Sequence, residues 1–300
     1  MKILLTGVSG QVGRALAVPL RALGEVIGAE RKLLDLADSA SIERAIRQLE
    51  PDLIVNPAAY TAVDRAESEP DLAMRINAEG PATLAREAAR TGARLVHFST
   101  DYVFDGRKPG PYLESDPTAP ASAYGRSKLA GELAIAASGC RHLVLRTSWV
   151  YDLTGANFLR TMFRLSGERE ELRVVDDQLG APTTSAAIAQ GCAQAVQQWL
   201  LNDSPRDDGV YHMTCAGQTT WCGFARAIMV RLPQIAGALG VNPPARAPRV
   251  SAIKTQDYPT AAQRPANSVL DNTKLQTNFG VTMPPWEQAL DSLIATGAKA

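Results

Sequence analysis

KILLTGVSGQVGRAL (residues 2–16) sets glycines at 7, 10 and 13 between a short apolar run and a helical pattern. No other stretch restricts the fold as much. KILLT reads as a buried strand, and a helix is expected from about Val12 to Leu23. A glycine-spaced turn in that position makes a βα unit in which the backbone can approach a ligand closely. The helix N-terminus then offers free N–H groups and the positive end of a dipole, which suits a pyrophosphate. The spacing is GxxGxxG, and Gly7, Gly10 and Gly13 are candidate dinucleotide-binding residues.

The rest of the first half repeats the unit. EVIGA (25–29), DLIVN (52–56), RLVHFS (94–99) and HLVLRT (142–147) read as strands. Helices are expected between them: one capped by Ser39 or Ser41 and running to Leu49, one over 70–90, and one over 122–137. Strands alternating with helices predict an α/β fold with a doubly wound parallel sheet. The composition changes after Tyr151, and VNPPARAPRV (241–250) reads as a loop system. The expected organisation is a dinucleotide-binding domain over 1–152, joined by about 176–200. A smaller, interleaved substrate-binding lobe is expected from 153–300.

In such a sheet the end of the second strand selects the cofactor's ribose. Glu30-Arg31-Lys32 carries both a carboxylate for a ribose diol and bases for a 2′-phosphate, so NADH and NADPH both stay open. Asp35 is expected near the adenine. Ala58 and Ala59 end the third strand with little bulk, which lets a cofactor pass close to the backbone.

Bulk properties narrow the partners. Thirty-one basic and 31 acidic residues cancel, so no nucleic acid or membrane surface is expected. Cys140, Cys192, Cys215 and Cys222 form no CxxC pair, so neither a metal site nor a disulfide frame is expected. The N-terminus is too short for a secretory apolar region. A cytoplasmic location is the expectation.

Two polar stretches carry candidate chemistry. STDYVFDG (99–106) ends the fourth strand in two hydroxyls and a carboxylate. Tyr124 and Lys128 stand at i and i+4 on one helix face and can meet one bound molecule. A free phenol has a pKa of about 10. An ammonium close by would favour the phenolate and make Tyr124 a proton donor and acceptor for a carbonyl. Trp149, just past the fifth strand, could stack on a sugar or base. Asp176 and Asp177 read as a capped turn sooner than a metal site, and Arg264 reads equally as an anion contact or a surface residue. His97 and His142 read as structural.

The blocks TGVSGQVG, DLIVNPAAYTAVDRAE, HFSTDYVFDG, YGRSKLAGE, LRTSWVY, VVDDQLGAPT and RPANSVLD run in order from residue 6 to 271. Together they resemble the extended short-chain dehydrogenase/reductase family, most closely its branch that reduces dTDP-4-dehydro-L-rhamnose at C4. The resemblance implies a Rossmann-like cofactor domain, NADPH or NADH, a nucleotide-sugar substrate and a monomer or homodimer. It implies Thr100, Tyr124 and Lys128 as the catalytic set. It also implies Gly10, Gln11 and Val12 at the pyrophosphate, and Glu30, Asp35 and Leu36 at the ribose and adenine. Ala59, Tyr60 and Thr61 would lie beside the cofactor, and Thr100, Asp101 and Trp149 would touch the sugar nucleotide. Some members carry a magnesium-binding glutamate where this chain has Ala15, so neither a metal nor a metal-bridged dimer is expected. The related 4,6-dehydratases have a glutamate where this chain has Tyr102, which favours reduction. A related epimerase or dehydratase, and a non-catalytic subunit resembling the regulatory subunit of methionine adenosyltransferase, are the alternatives.

Overall fold

The computed structural model describes residues 1–297. Strands β1 (Lys2–Thr6), β2 (Glu25–Ala29), β3 (Leu53–Asn56), β4 (Arg94–Thr100) and β5 (His142–Thr147) form one sheet with a sixth strand, Gly209–His212. The spatial order is Gly209–His212, β5, β4, β3, β1, β2, and every pairing is parallel. The sixth strand comes from the second half of the chain.

Alternation along the strands sends side chains to two cores. Ile3, Leu5, Leu53, Val55, Val96, Phe98, Leu143 and Leu145 face one side, against Ile188, Cys192, Val196 and Trp199 of the helix Ser185–Asn202. Leu4, Ile54, Leu95 and Val144 face the other, against α2 (Ser39–Leu49), α4 (Gly80–Thr91) and α5 (Ala123–Ala137). A third core, built on Tyr151, Leu159, Phe224, Ile228 and Leu290, holds the smaller lobe together. There the strand Glu171–Val175 pairs in parallel with Arg249–Ile253.

Several boundaries differ from expectation for local reasons. The first helix, α1, is only Gln11–Leu16, and a 3-10 turn follows at Pro19–Ala22. Pro19 has no N–H to continue an α-helix. Asp38, not a serine, caps α2 by accepting the Ala40 N–H, while Ser41 accepts from Asp35 N–H. The expected helix over 70–90 is α3 (Pro70–Met74) and α4 joined by a π-turn, Arg75–Glu79. That turn aims Asn77 inward, where it bonds both the Tyr60 backbone and Ser127 on α5. Among the described residues, no helix is long and apolar enough to cross a membrane.

Candidate active site

The strands β1, β3, β4 and β5 open at their C-terminal ends onto one cavity of about 820 Å³. This is where open α/β sheets bind ligands. The glycine turn forms its floor. Gly7 has φ +59°, a conformation that excludes most side chains, and a Cβ on Gly13 would stand 2.1 Å from the Gly7 carbonyl oxygen. The glycines therefore let α1 sit tightly on β1. Gly10 caps α1 without a side-chain bond, which leaves the first-turn N–H groups free.

Gly7, Gly10, Gln11, Val12, Gly13, Glu30, Asp35, Leu36, Ala59, Thr61, Thr100, Asp101, Tyr124, Lys128 and Trp149 all line this cavity. Tyr60 does not line it. Its phenol donates to Glu69 at 2.7 Å and its backbone N–H to Asn77, so the side chain is committed elsewhere. Arg264 is also placed differently from an anion contact. Its guanidinium donates to Asp64 at 2.5 Å and to the Tyr102 hydroxyl at 3.1 Å, tying its own segment to those that follow β3 and β4. Asp176 accepts from Thr220 and Asp177 from Thr255, which makes both structural turn acids.

The catalytic helix is placed by its own sequence. The Ser122 hydroxyl caps α5 by accepting the Gly125 N–H at 3.1 Å. A Cβ on Gly125 would meet the Tyr102 carbonyl oxygen at 2.2 Å, so glycine lets α5 press against the STDYV segment. Tyr124 follows the cap directly and meets Tyr102 edge-on, with ring centroids 5.6 Å apart.

The electrostatics correct one expectation. Lys128 does not hold Tyr124 in a lowered range. Its Nζ donates to the Phe98 carbonyl at 2.5 Å and lies 3.2 Å from His97 Nε2. Burial and the nearby Asp101 charge push the Tyr124 phenol up, against a smaller opposing effect of the Thr100 hydroxyl. Burial lowers Lys128 itself to about 8, with Glu132 pulling the other way. Asp101 is raised to about 6 by burial, opposed by the Ser268 and Thr100 hydroxyls. Thr100 Oγ1 donates to Asp101 Oδ1 at 3.0 Å.

Four buried polar atoms on this cavity have no protein partner: Ser99 Oγ, Asp101 Oδ2, Thr147 Oγ1 and Ser148 Oγ. Unpaired buried polar groups are costly, and these four cluster in residues that border the cavity. The donor set suits a polar ligand such as a sugar and nicotinamide, and the glycine floor suits a pyrophosphate. Trp149 adopts φ +48°, a strained value for a large residue. Its indole stacks on Trp221 at 3.5 Å and lies against Gly180, where a Cβ would be 2.3 Å away. Trp221 was not foreseen, because nothing in its local pattern marks a residue that buttresses another. Asn157, from the smaller lobe, donates to Gln11 at 2.9 Å and ties the glycine turn to the loop over it.

Residues 1–298 match the family described as "RmlD substrate binding domain". The chain belongs to this family. It is 48% identical over 292 residues to a dTDP-4-dehydrorhamnose reductase of Burkholderia thailandensis, covering 97% of each chain. Its fold is similar to the crystal structure of a dTDP-4-dehydrorhamnose reductase from Clostridium acetobutylicum, with a TM-score of 0.86 and 36% identity over 99% of each chain. It is also similar to the Bacillus anthracis dTDP-4-dehydrorhamnose reductase in complex with NADP, with a TM-score of 0.85 and 34% identity, covering 98% of this chain and 99% of that one. The relatives share with this chain a parallel sheet on which the glycine turn, Tyr124 and Lys128 border one cavity here.

Proposed function

We propose that this chain reduces the C4 keto group of dTDP-4-dehydro-L-rhamnose to give dTDP-L-rhamnose, using NADPH or NADH. The carrying observation is the meeting of the glycine turn, Tyr124, Lys128, Thr100 and Asp101 on one cavity, in a chain whose relatives are named for this reaction. Gly10, Gln11 and Val12 would hold the pyrophosphate, and Glu30, Asp35 and Leu36 the adenosine end. When bound, the reduced nicotinamide supplies a hydride to C4. Tyr124 gives the proton to the carbonyl oxygen. Its raised phenol stays protonated until an alkoxide, a far stronger base, develops beside it. Thr100 sits beside Tyr124, and its hydroxyl would have to leave Asp101 Oδ1 to donate to the same oxygen, while the Asp101 carboxylate would accept from a sugar hydroxyl. Lys128 holds positive charge under the site and bonds the nicotinamide ribose.

The test is loss of nicotinamide absorbance with purified 4-keto nucleotide sugars, followed by product stereochemistry. Absence of oxidation with every 4-keto sugar nucleotide would sink the proposal.

Arg31 is exposed at the cavity mouth and bonds Asp35 at 3.0 Å. It is the basic group best placed for a 2′-phosphate. Arg31→Ala should raise KM for NADPH roughly two- to fivefold, as an exposed ion pair warrants, and leave KM for NADH nearly unchanged. Equal effects on both cofactors would remove Arg31 from that role.

Asp101 gives a pH dependence. As pH falls through about 6, its carboxylate takes a proton and loses an acceptor site. KM for the nucleotide sugar should therefore rise below about pH 6, and Asp101→Asn should abolish that rise. An unchanged acid limb in the Asn variant would assign the limb to another group.

A further inference from the structure

We propose that His97 is a positioning residue for Lys128: a neutral imidazole, oriented by Asn56, that accepts from the ammonium and fixes it at the cavity wall. This rests on Lys128 serving the reductase step described above.

The geometry is a buried chain of four side chains. Thr6 Oγ1 lies 2.6 Å from Asn56 Oδ1, Asn56 Nδ2 2.9 Å from His97 Nδ1, and His97 Nε2 3.2 Å from Lys128 Nζ. The four side chains come from β1, β3, β4 and α5, and Asn56 and His97 are register partners in the sheet. All four residues are at most 2% exposed. Thr6 and Lys128 both border the cavity, so the chain runs beneath it from the glycine turn to the catalytic helix.

Lys128 needs such a partner. Among the described residues no carboxylate lies within ion-pair distance of its Nζ. The acid one helical turn on, Glu132, is held by Arg146 through bonds of 2.9 and 2.6 Å. Buried charge requires hydrogen-bonded compensation. Here the compensation consists of the Phe98 carbonyl and His97. The charged or titratable groups around the ammonium are Glu132 and Tyr124 from its own helix, Arg146 from β5 behind Glu132, His97 from β4, and Asp101 just beyond β4.

Donor counting fixes the ring proton. Every hydrogen of an ammonium is a donor, so Nε2 must accept and the imidazole proton must sit on Nδ1. The Asn56 amide is placed with Nδ2 towards the ring and Oδ1 towards Thr6, and the Nδ1–H tautomer requires these two atoms exchanged, so that Oδ1 accepts from the ring and Nδ2 donates to Thr6 Oγ1. Burial and the Lys128 charge hold His97 far below its ordinary range, so it stays neutral as it does this.

The test compares His97→Leu, His97→Gln and Lys128→Met with the wild type, alongside melting curves. Losing an acceptor of the charged form lowers the Lys128 pKa. His97→Leu should therefore lower kcat roughly ten- to hundredfold, the worth of a hydrogen bond to a charged group. It should also move the alkaline limb of the pH profile down by about one pH unit. His97→Gln, whose side-chain oxygen can accept, should return the limb towards the wild-type position. A folded His97→Leu protein with the wild-type limb overturns the inference. If Lys128→Met keeps full activity, the role of Lys128 itself fails, which is a separate result. Should His97→Leu not fold, 15N imidazole NMR of the wild type at neutral pH decides, with the His97 signals assigned by their loss in His97→Gln. A proton on Nδ1 supports the inference, and a proton on Nε2 overturns it.

Discussion

Tyr124→Phe should lower kcat by roughly two to four orders of magnitude, the usual contribution of a positioned acid. Binding of NADPH, read by its fluorescence, should change little. The substitution removes one oxygen and keeps the ring, which is only 9% exposed and packed edge-on against Tyr102. The α5 cap at Ser122 and the Gly125 contact with Tyr102 are untouched, so the helix stays where it is. What is lost is the proton donor. Tyr102, the other phenol lining the cavity, accepts from Arg264 and is pushed up to about 12 by burial. Thr100 is a far weaker acid and already donates to Asp101. Lys128 is turned to the Phe98 carbonyl. The measurement is single-turnover oxidation of NADPH with saturating 4-keto sugar nucleotide. A kcat within threefold of the wild type would take the acid role from Tyr124.

The cavity was largely legible in the sequence, because its parts lie in short, local patterns. The glycine turn carries its meaning in three positions between a strand and a helix. Tyr124 and Lys128 share a helix face by spacing alone. What was not legible depends on contacts across long separations. Tyr60 sits among cavity residues in the sequence, yet Glu69 and Asn77 take its polar groups. Arg264 finds Asp64, 200 residues away, and no local signal forecasts that. The sixth strand, Gly209–His212, is four residues long with a mixed pattern, and only its pairing with β5 makes it a strand. Proximity in sequence likewise suggested that Lys128 would govern Tyr124. The fold instead turns its ammonium to the end of β4, and the phenol is set by burial and Asp101.

Beneath the site, Arg146→Ala should destabilise the protein by about 3–5 kcal/mol, the cost of breaking one side of a buried ion pair. Arg146 on β5 and Glu132 on α5 are each 4% exposed and form two hydrogen bonds, in the paired geometry that suits guanidinium and carboxylate. The guanidinium also lies over the Phe104 ring at 5.0 Å, so truncation removes packing as well as charge. Glu132 would be left buried with only the Lys128 ammonium one turn away to offset it. Chemical denaturation measures the loss. The double variant Glu132→Leu/Arg146→Met separates two explanations. If the penalty comes from an uncompensated charge, the double variant should recover most of the stability, since apolar replacement of a whole buried pair is often neutral or stabilising. It should at the same time lower the Lys128 pKa, because Glu132 is the charge that raises it. The alkaline limb of activity would then move to lower pH in a protein of near-normal stability. A double variant as unstable as Arg146→Ala would place the cost in the lost contacts with Phe104 instead.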